Sequence, residues 1–231
     1  VAVVEMGSEE VTGSIELPAE PTGVALSPDG SRLYVTAGMP DGRVFAYETK
    51  GLQPAGVFPA GHSPTAPVVS RDGTRLYVCN RFGNEVLAID ARTGTPVATI
   101  PVLREPVAAA ITPDGARLVV ANHLPTGAAN GEYAASAISI IDTASSSVVA
   151  SVQLPNGSNA LKGVCVSPDG HHAYVTHILA RYQLPTTQVE RGWMNTNALS
   201  IVDLTSNALV ATVLLDSVDL GAANPWGVAC S

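Results

Sequence analysis

Charge is scarce in this sequence. Only 14% of the 231 residues are charged, and 12 Lys and Arg stand against 20 Asp and Glu, which gives a formal net charge of −8. No basic run occurs, so a surface that follows nucleic-acid phosphates is not expected. Hydrophobic residues still make up 46% of the chain, a proportion that excludes a disordered protein. The composition therefore predicts a folded protein that does not bind nucleic acid.

Long apolar runs are absent as well. No stretch approaches the roughly 18 to 20 residues that a helix needs to cross a bilayer, so no membrane span is expected. The first residues, Val1–Glu5, include neither an initiator Met nor the basic segment of a signal peptide. Any targeting segment is therefore expected to have been removed or to lie outside this sequence.

Cysteines are few and catalytic motifs are missing. Cys79, Cys165 and Cys230 form no Cys-x-x-Cys, no Cys-x-x-Cys-His and no even set. A haem attachment site, a zinc ribbon and a disulfide framework therefore lack support, and we expect three small buried hydrophobic residues. There is no Gly-x-Ser-x-Gly, His-Glu-x-x-His or Walker motif. No cofactor is expected in this chain.

What the sequence does contain is a repeat. The stretch from Pro21 to Thr36 (PTGVALSPDGSRLYVT) recurs from Pro64 and returns twice more, and a fifth copy begins at Pro225. The aspartates of the four Asp-Gly pairs stand at 29, 72, 114 and 169, at spacings of 43, 42 and 55 residues. A self-similar unit of this length indicates a repeat architecture.

Each unit is interpreted as four short strands. The Asp-Gly pair supplies the hairpin between the first and second strands, the third strand ends on an acid, and the fourth follows a Thr, Ser or Gly turn. No sustained helical period appears, so we predict an all-β protein. Four short antiparallel strands repeated at about 42 residues are typical of a β-propeller blade. The predicted blades cover about 22–60, 64–103, 106–155 and 161–215 of a single propeller domain, 1–231.

Ser-Pro-Asp-Gly followed by Leu-Tyr-Val-Thr and Val-Ile-Asp resembles the YVTN repeat family of seven-bladed propellers, which is related to surface-layer and periplasmic propeller proteins. The resemblance implies a periplasmic or extracellular protein. It implies little about activity, because propellers host many functions.

The repeat is incomplete at both ends. Ala2–Glu5 is interpreted as a third strand and 11–17 as a fourth, and the last copy stops after one strand. A seven-bladed member would need roughly 300 residues, so we expect a fragment with four complete blades and a partial blade at each end. Open blade edges would favour self-association or a partner chain that completes the ring. A closed five-bladed ring that lacks one strand is the alternative.

Two connections between second and third strands are long. These connections span 11, 10, 20 and 26 residues in the four units, which places insertions at 124–137 and 178–197 on the same face. Long loops in compact domains are often functional. The first insertion, with Glu132 and Tyr133, is interpreted as a lid or a packing loop.

The second insertion carries Arg181, Tyr182, Arg191 and Trp193. Arg and aromatic residues commonly anchor interfaces and ligand pockets, so this loop is the first choice for recognition. The alternative is a plug in which Arg181, Glu190 and Arg191 form ion pairs while Trp193 packs on the neighbouring blade.

Three histidines are expected on the same face: His62, His123, and His177, which replaces an Asn of the repeat. Converging imidazoles could bind a transition metal, as in copper propellers, although ordinary hydrogen-bonding or interface roles are the alternative. His171 and His172 lie in a hairpin at the opposite end and are expected to face solvent.

The stretch 177–197 is also similar to a loop of YVTN propellers that are fused to dihaem cytochrome c peroxidase-like domains. That resemblance implies a parent redox protein whose haem or copper lies outside this chain. Related propellers include lactonases, which would need paired carboxylates on the long-loop face. The acids available there show no spacing that singles out a pair: Glu105, Glu132, Glu190, Asp216 and Asp219.

The leading hypothesis is a recognition or scaffold module of an exported propeller, with a protein or small-molecule ligand on the long-loop face. The alternative is an enzyme module, either part of a haem- or copper-linked redox protein or a lactonase-like hydrolase. The residues predicted to bind the partner are His62, Arg104, His123, Lys162, His177, Arg181, Tyr182, Arg191, Trp193 and Trp226.

Overall fold

The computed structural model describes residues 1–180, 195–216 and 224–231. These residues form 18 β-strands, joined by turns and two short 3-10 helices at Lys50–Leu52 and Arg81–Gly83. The prediction of an all-β fold built from four-stranded antiparallel blades is confirmed. No helix in the described ranges is long and apolar enough to span a bilayer.

The strands of the described residues form one two-stranded sheet and four four-stranded sheets. The two-stranded sheet is β1 (Ala2–Glu5) and β2 (Glu10–Ser14). The second sheet consists of β3 (Pro21–Leu26), β4 (Arg32–Ala37), β5 (Asp41–Glu48) and β6 (Gln53–His62). The third consists of β7 (Pro64–Val69), β8 (Arg75–Asn80), β9 (Glu85–Asp90) and β10 (Pro96–Pro101). The fourth consists of β11 (Pro106–Ile111), β12 (Arg117–Asn122), β13 (Ala137–Asp142) and β14 (Ser147–Gln153). The fifth consists of β15 (Ser158–Val166), β16 (His172–Ala180), β17 (Asn195–Asp203) and β18 (Ala208–Leu214).

The Asp-Gly hairpins join the first and second strands of each four-stranded sheet. Gly30 has φ 69°, and the glycines at the equivalent positions of the other three hairpins have φ between 72° and 76°. This left-handed conformation costs glycine little, because it has no Cβ. The Asp29 carboxylate accepts hydrogen bonds from the Ser27 hydroxyl at 2.5 Å and from the Ser31 amide at 3.1 Å. The repeated tetrapeptide is therefore a local turn motif.

The acid that closes each third strand also has a structural role. The Asp90 carboxylate accepts hydrogen bonds from the amides of Arg92 and Thr93, and Asp203 accepts them from Thr205 and Ser206. These bonds satisfy backbone donors in the turn that leads to the outer strand. Asp142 accepts the same kind of bond from the Ser145 amide, whereas Glu48, the acid of the first four-stranded sheet, forms an ion pair with Arg32.

The chain divides into two compact units, Val1–Gly83 with Leu87–Thr99, and Asn84–Val86 with Ile100–Ser231. Each unit has its own apolar core between sheets. Tyr34, Phe58, Leu76 and Ile89 lie in the core of the first unit. The core of the second unit includes Ile138, Ile140, Leu154, Leu161 and Val175. The extent of one domain over 1–231 stays a prediction.

The expectation for the cysteines is wrong in part. Cys79 is buried as expected, and burial raises the pKa of its thiol to about 12. Cys165 and Cys230, however, form a disulfide across 65 residues of sequence. An odd cysteine count does not exclude one bond, because the third cysteine can remain a thiol inside the core.

Candidate functional site at the long-loop end

The antiparallel order of the strands places two kinds of connection at the same end of each sheet, opposite the Asp-Gly hairpins. These are the connections from second to third strand and from each sheet to the next. We call this the long-loop end; in the second unit its described residues are 102–105, 123–136, 154–162 and 224–228. The segment with Arg181, Tyr182, Glu190, Arg191 and Trp193 lies outside the described residues, so its role stays a prediction.

The two long connections of the second unit begin at the same end. Gly157 donates its amide hydrogen to the Ala134 carbonyl at 2.9 Å, and its own carbonyl accepts the amide of Ala180 at 2.9 Å. Ala134 belongs to the first long connection, and Ala180 is the last residue of β16 before the second. The geometry of the described residues therefore agrees with the expected common end.

The connection 123–136 is held down by its own polar groups. The Tyr133 hydroxyl donates to the Leu154 carbonyl at 2.7 Å, although the residue remains 49% exposed. The Asn156 side chain accepts from the Ala134 amide and donates to the Glu132 carbonyl, both at 2.9 Å. These contacts correspond to a packing loop rather than a lid.

His123 links this connection to the next sheet. Its Nδ1 donates to the Leu161 carbonyl at 2.9 Å, and its backbone amide donates to the Glu105 carbonyl at 2.8 Å. Arg104 is adjacent, and its side chain is 57% exposed, with Nε at 4.0 Å from a Glu105 carboxylate oxygen. His123 therefore contributes to the architecture of the site.

Lys162 and Trp226 form a cation–π contact at this end. The pairing of β15 with β16 shifts between Asn159 and Gly163, and Lys162 lies within that irregular stretch. Its Nζ lies 4.3 Å from the centroid of the Trp226 ring, which is a cation–π geometry. Trp226 is 70% exposed. A large aromatic side chain that a cation holds in place is a suitable anchor for a partner.

Two contacts hold the backbone at Trp226 and after it. Its carbonyl accepts a hydrogen bond from the Thr176 hydroxyl at 3.4 Å. Four residues further on, Cys230 is bonded to Cys165 of β15. The exposed ring thus stands on a covalently anchored segment, so less conformational entropy is lost when it binds.

His177 lies inside its sheet instead of at the surface. The residue is 0% exposed, its Nδ1 donates to the Ile178 carbonyl at 3.2 Å, and its Nε2 lies 2.8 Å from the Ser200 hydroxyl. Burial lowers the pKa of the imidazole, which is therefore neutral and accepts the Ser200 proton at Nε2. Asn122 has the same position in its own sheet and contacts Ser139 at 3.1 Å. In this structure His177 presents no nitrogen to a ligand.

His62 belongs to the first unit. Its ring is exposed and packs edge-on against Phe82, with centroids 5.5 Å apart, and the Arg81 guanidinium lies 5.0 Å from the centroid of the same Phe82 ring. Arg81 and Phe82 were not among the residues predicted from the sequence to bind a partner. They could have been found in the sequence, because Phe82 is an aromatic residue in the loop that directly follows the strand ending at Asn80.

No group of three or more His, Cys, Asp or Glu side chains within the described ranges is arranged to hold a metal ion. Among the acids considered for a hydrolase, Asp216 accepts hydrogen bonds from the backbone and side-chain amides of Asn197, at 2.7 and 2.6 Å. Asp216 thus holds Asn197 in place near the start of β17. Glu190 and Asp219 lie outside the described residues.

No family model matches the sequence, so membership of the YVTN family is not confirmed. A stretch of 92 residues, 40% of this chain, is 34% identical to hydrazine synthase subunit beta of Kuenenia stuttgartiensis and covers 24% of that protein. The solved structure of Kuenenia stuttgartiensis hydrazine synthase superposes on 97% of this chain with a TM-score of 0.86 and 27% identity, and the match covers 62% of that chain.

The WD40 repeats of RRP9 align over 87% of the chain and 52% of their own, with a TM-score of 0.57 and 13% identity, which is evidence for the fold alone. In each of these matches the chain spans less than two thirds of the other protein. The chain is a β-propeller in fold, and it is similar in sequence and in structure to hydrazine synthase.

Proposed function

We propose that this chain is the propeller module of an exported redox enzyme assembly and that it recognises a protein partner through the long-loop end of its second unit. The observation that carries the proposal is the likeness to a hydrazine synthase chain, with a TM-score of 0.86 over 97% of the residues at 27% identity. That likeness favours a redox assembly over a lactonase-like hydrolase.

The chemistry of the long-loop end supports a recognition role. Trp226 is exposed, paired with Lys162 and anchored through the disulfide, and Arg104 is exposed at the same end of the unit. Trp and Arg carry a disproportionate share of binding energy in protein interfaces. The predicted contacts of Arg181, Tyr182, Arg191 and Trp193 would extend this surface.

The disulfide supports export. Disulfides persist in oxidising compartments such as the periplasm and the extracellular space, and they are rare in the cytosol of mesophiles. The bond between Cys165 and Cys230 therefore agrees with the periplasmic or extracellular location that the repeat resemblance implies.

The test is affinity isolation of the tagged protein from its source cells, followed by size-exclusion chromatography, mass spectrometry and an optical spectrum. We expect a stoichiometric partner that carries a redox cofactor. Trp226→Ala should lower the yield of that partner by about tenfold or more, since truncation of an aromatic hot spot costs at least about 2 kcal/mol.

The matched control is Val210→Ala, which removes a similarly exposed apolar side chain from β18. It should leave the yield of the partner unchanged. Elution of the chain alone, or a partner without a redox cofactor, would contradict the assembly. Equal losses for the two variants would contradict the assigned surface.

A further inference from the structure

A second candidate site lies at the opposite end of the first unit. A cavity of about 450 Å³ opens between the sheets β3–β6 and β7–β10, at their Asp-Gly hairpins. Tyr34, only 2% exposed, lines it and donates its hydroxyl hydrogen to the Ala91 carbonyl at 2.9 Å. The charged side chains that line the cavity are Asp29, Arg32, Arg71, Asp72 and Arg92.

Three guanidinium groups thus border one cavity in a chain of net charge −8. Arg32 is engaged, because its Nε lies 3.1 Å from a carboxylate oxygen of Glu48. Arg71 and Arg92 are exposed, and neither guanidinium has an ion pair or hydrogen bond within the part of the chain that the structure describes. The guanidinium groups of Arg71 and Arg92 are therefore available to bind a ligand.

The repeats show that the fold does not need these two arginines. The position of Arg71 is occupied by proline in the other three hairpins, at Pro28, Pro113 and Pro168. The counterparts of Arg92, two residues after the acid that ends each third strand, are Lys50, Ala144 and Thr205. Identical hairpins form without either guanidinium.

The second unit offers an internal comparison. Its equivalent cavity, about 330 Å³, is lined by Arg117, with Thr205 in the place of Arg92. The Arg117 guanidinium donates to the Leu204 carbonyl and, at 3.1 Å, to the Asn207 side chain. Arg117 stands at the position of Arg32 and, like Arg32, is bonded within the protein. The positions of Arg71 and Arg92 hold Pro168 and Thr205 in the second unit, so that cavity has no guanidinium in their place.

The two carboxylates of the first cavity are used by their own turns. Asp29 accepts hydrogen bonds from Ser27 and Ser31, and Asp72 accepts them from the Ser70 hydroxyl at 2.6 Å and from Thr74 at 3.0 Å. Both carboxylates are therefore committed to their own hairpins, and Asp90, which interacts electrostatically with Arg92, lies outside the cavity lining. Among the lining residues three arginines stand beside two aspartates, and Glu48, which pairs with Arg32, lies outside the lining.

We infer that this cavity binds a small organic anion and that Arg71 and Arg92 hold its phosphate or carboxylate group. The planar guanidinium presents paired N–H donors that match the oxygens of both groups. A cavity of about 450 Å³ suits a ligand of metabolite size. This site goes beyond the proposed function, because its residues take no part in the long-loop end.

The test is isothermal titration calorimetry of the whole chain with two probes, citrate for carboxylate and pyrophosphate for phosphate. We expect saturable binding of at least one probe at a single site. Arg71→Pro and Arg92→Ala should each weaken it by about tenfold or more, since a hydrogen bond to a charged group contributes about 1.5 to 3 kcal/mol. Arg71→Pro installs the residue of the other three hairpins, so the unfolding temperature should be retained.

Arg43→Ala is the charge-matched control, because it removes an exposed guanidinium of β5 that does not line the cavity. Its affinity for the probe should equal that of the wild type. Absence of saturable binding of both probes at millimolar concentration would overturn the inference, as would unchanged affinity in both Arg71→Pro and Arg92→Ala. The preferred probe identifies which anionic group the site takes.

Discussion

At the scale of single residues, His177 shows how a repeat position decides the role of a side chain. The imidazole lies within β16 at the repeat position that Asn122 occupies in its own sheet. Its partners are Ile178 and Ser200, and the Ser200 hydroxyl is 2.8 Å from that of Thr212. Both ring nitrogens are used when the ring is neutral. A second proton on Nε2 would break the bond in which that nitrogen accepts the Ser200 hydrogen.

This arrangement predicts a dependence of stability on pH. Burial holds the pKa of folded His177 below its ordinary value of 6.5. As the pH falls below 6.5, the unfolded chain takes up a proton that the folded chain does not, so the free energy of unfolding falls until the pH reaches the folded pKa. The fall should amount to at most about 1.4 kcal/mol per pH unit.

His177→Asn should remove this slope, because Asn does not titrate and is the residue at the equivalent position 122. Chemical denaturation at pH 7 and pH 5 measures it, above the range in which aspartates titrate. His171→Asn, in an exposed hairpin, is the control and should keep the slope of the wild type. Identical slopes in the wild type and His177→Asn would contradict the prediction.

The sequence could place His177 at the end of a strand but could not give the direction of its side chain. That direction depends on the pairing of β16 with β17, which brings Ser200 of the next strand beneath it. The contact of Lys162 with Trp226 likewise could not be predicted from the sequence, because the two residues are far apart along the chain. Their predicted location at the same end, however, followed from the repeat.

At the scale of elements, the hairpins were predictable because everything that forms them is local. Ser27, Asp29, Gly30 and Ser31 satisfy one another within five residues of chain. The long connection 123–136 is the opposite case, since its anchors are Leu154 and Asn156 of a later turn. Its length was readable from the sequence, but its packed conformation was not.

The hairpin aspartates should give the fold an acid-sensitive component. The pKa of Asp29 is lowered from 3.8 to about 2. The hydrogen bond from the Ser27 side chain is the largest cause, and the bond from the Ser31 backbone amide is the next. A depressed carboxylate pKa stabilises the folded state at pH values above 3.8, and this stabilisation is lost as the pH falls through about 2.

Asp29→Asn should therefore have a lower unfolding temperature than the wild type at pH 7, and the difference should shrink toward zero near pH 2 because the wild-type carboxyl then becomes neutral. Thermal unfolding followed by circular dichroism measures it. Asp41→Asn is the control, since Asp41 is exposed in β5 and its side chain forms no hydrogen bond with the described residues. If the difference in unfolding temperature between Asp29→Asn and the wild type is the same at pH 7 and near pH 2, the negative charge of Asp29 does not stabilise the fold.

At the scale of the whole molecule, the fold was predictable from the repeat, whereas the single disulfide was not. Four copies at fixed offsets indicated four-stranded blades before any contact was known. The pairing of Cys165 with Cys230 depends on two first-strand positions becoming neighbours, one in β15 and one in the last copy of the repeat. The same placement brings the Trp226 carbonyl to the Thr176 hydroxyl. The strand predicted for the last copy is not formed, because residues 224–231 have no strand in the structure.

This disulfide closes a loop of 65 residues and so removes conformational entropy from the unfolded chain. Cys230→Ser should lower the free energy of unfolding by about 2 to 4 kcal/mol, the usual range for a disulfide. Guanidinium denaturation with and without reductant checks the value, since reduced wild type should match Cys230→Ser while the variant should not respond to reductant. A wild type whose midpoint is the same in both buffers would show that the bond does not stabilise the fold, and Trp226 would then lose the anchored backbone on which its recognition role depends.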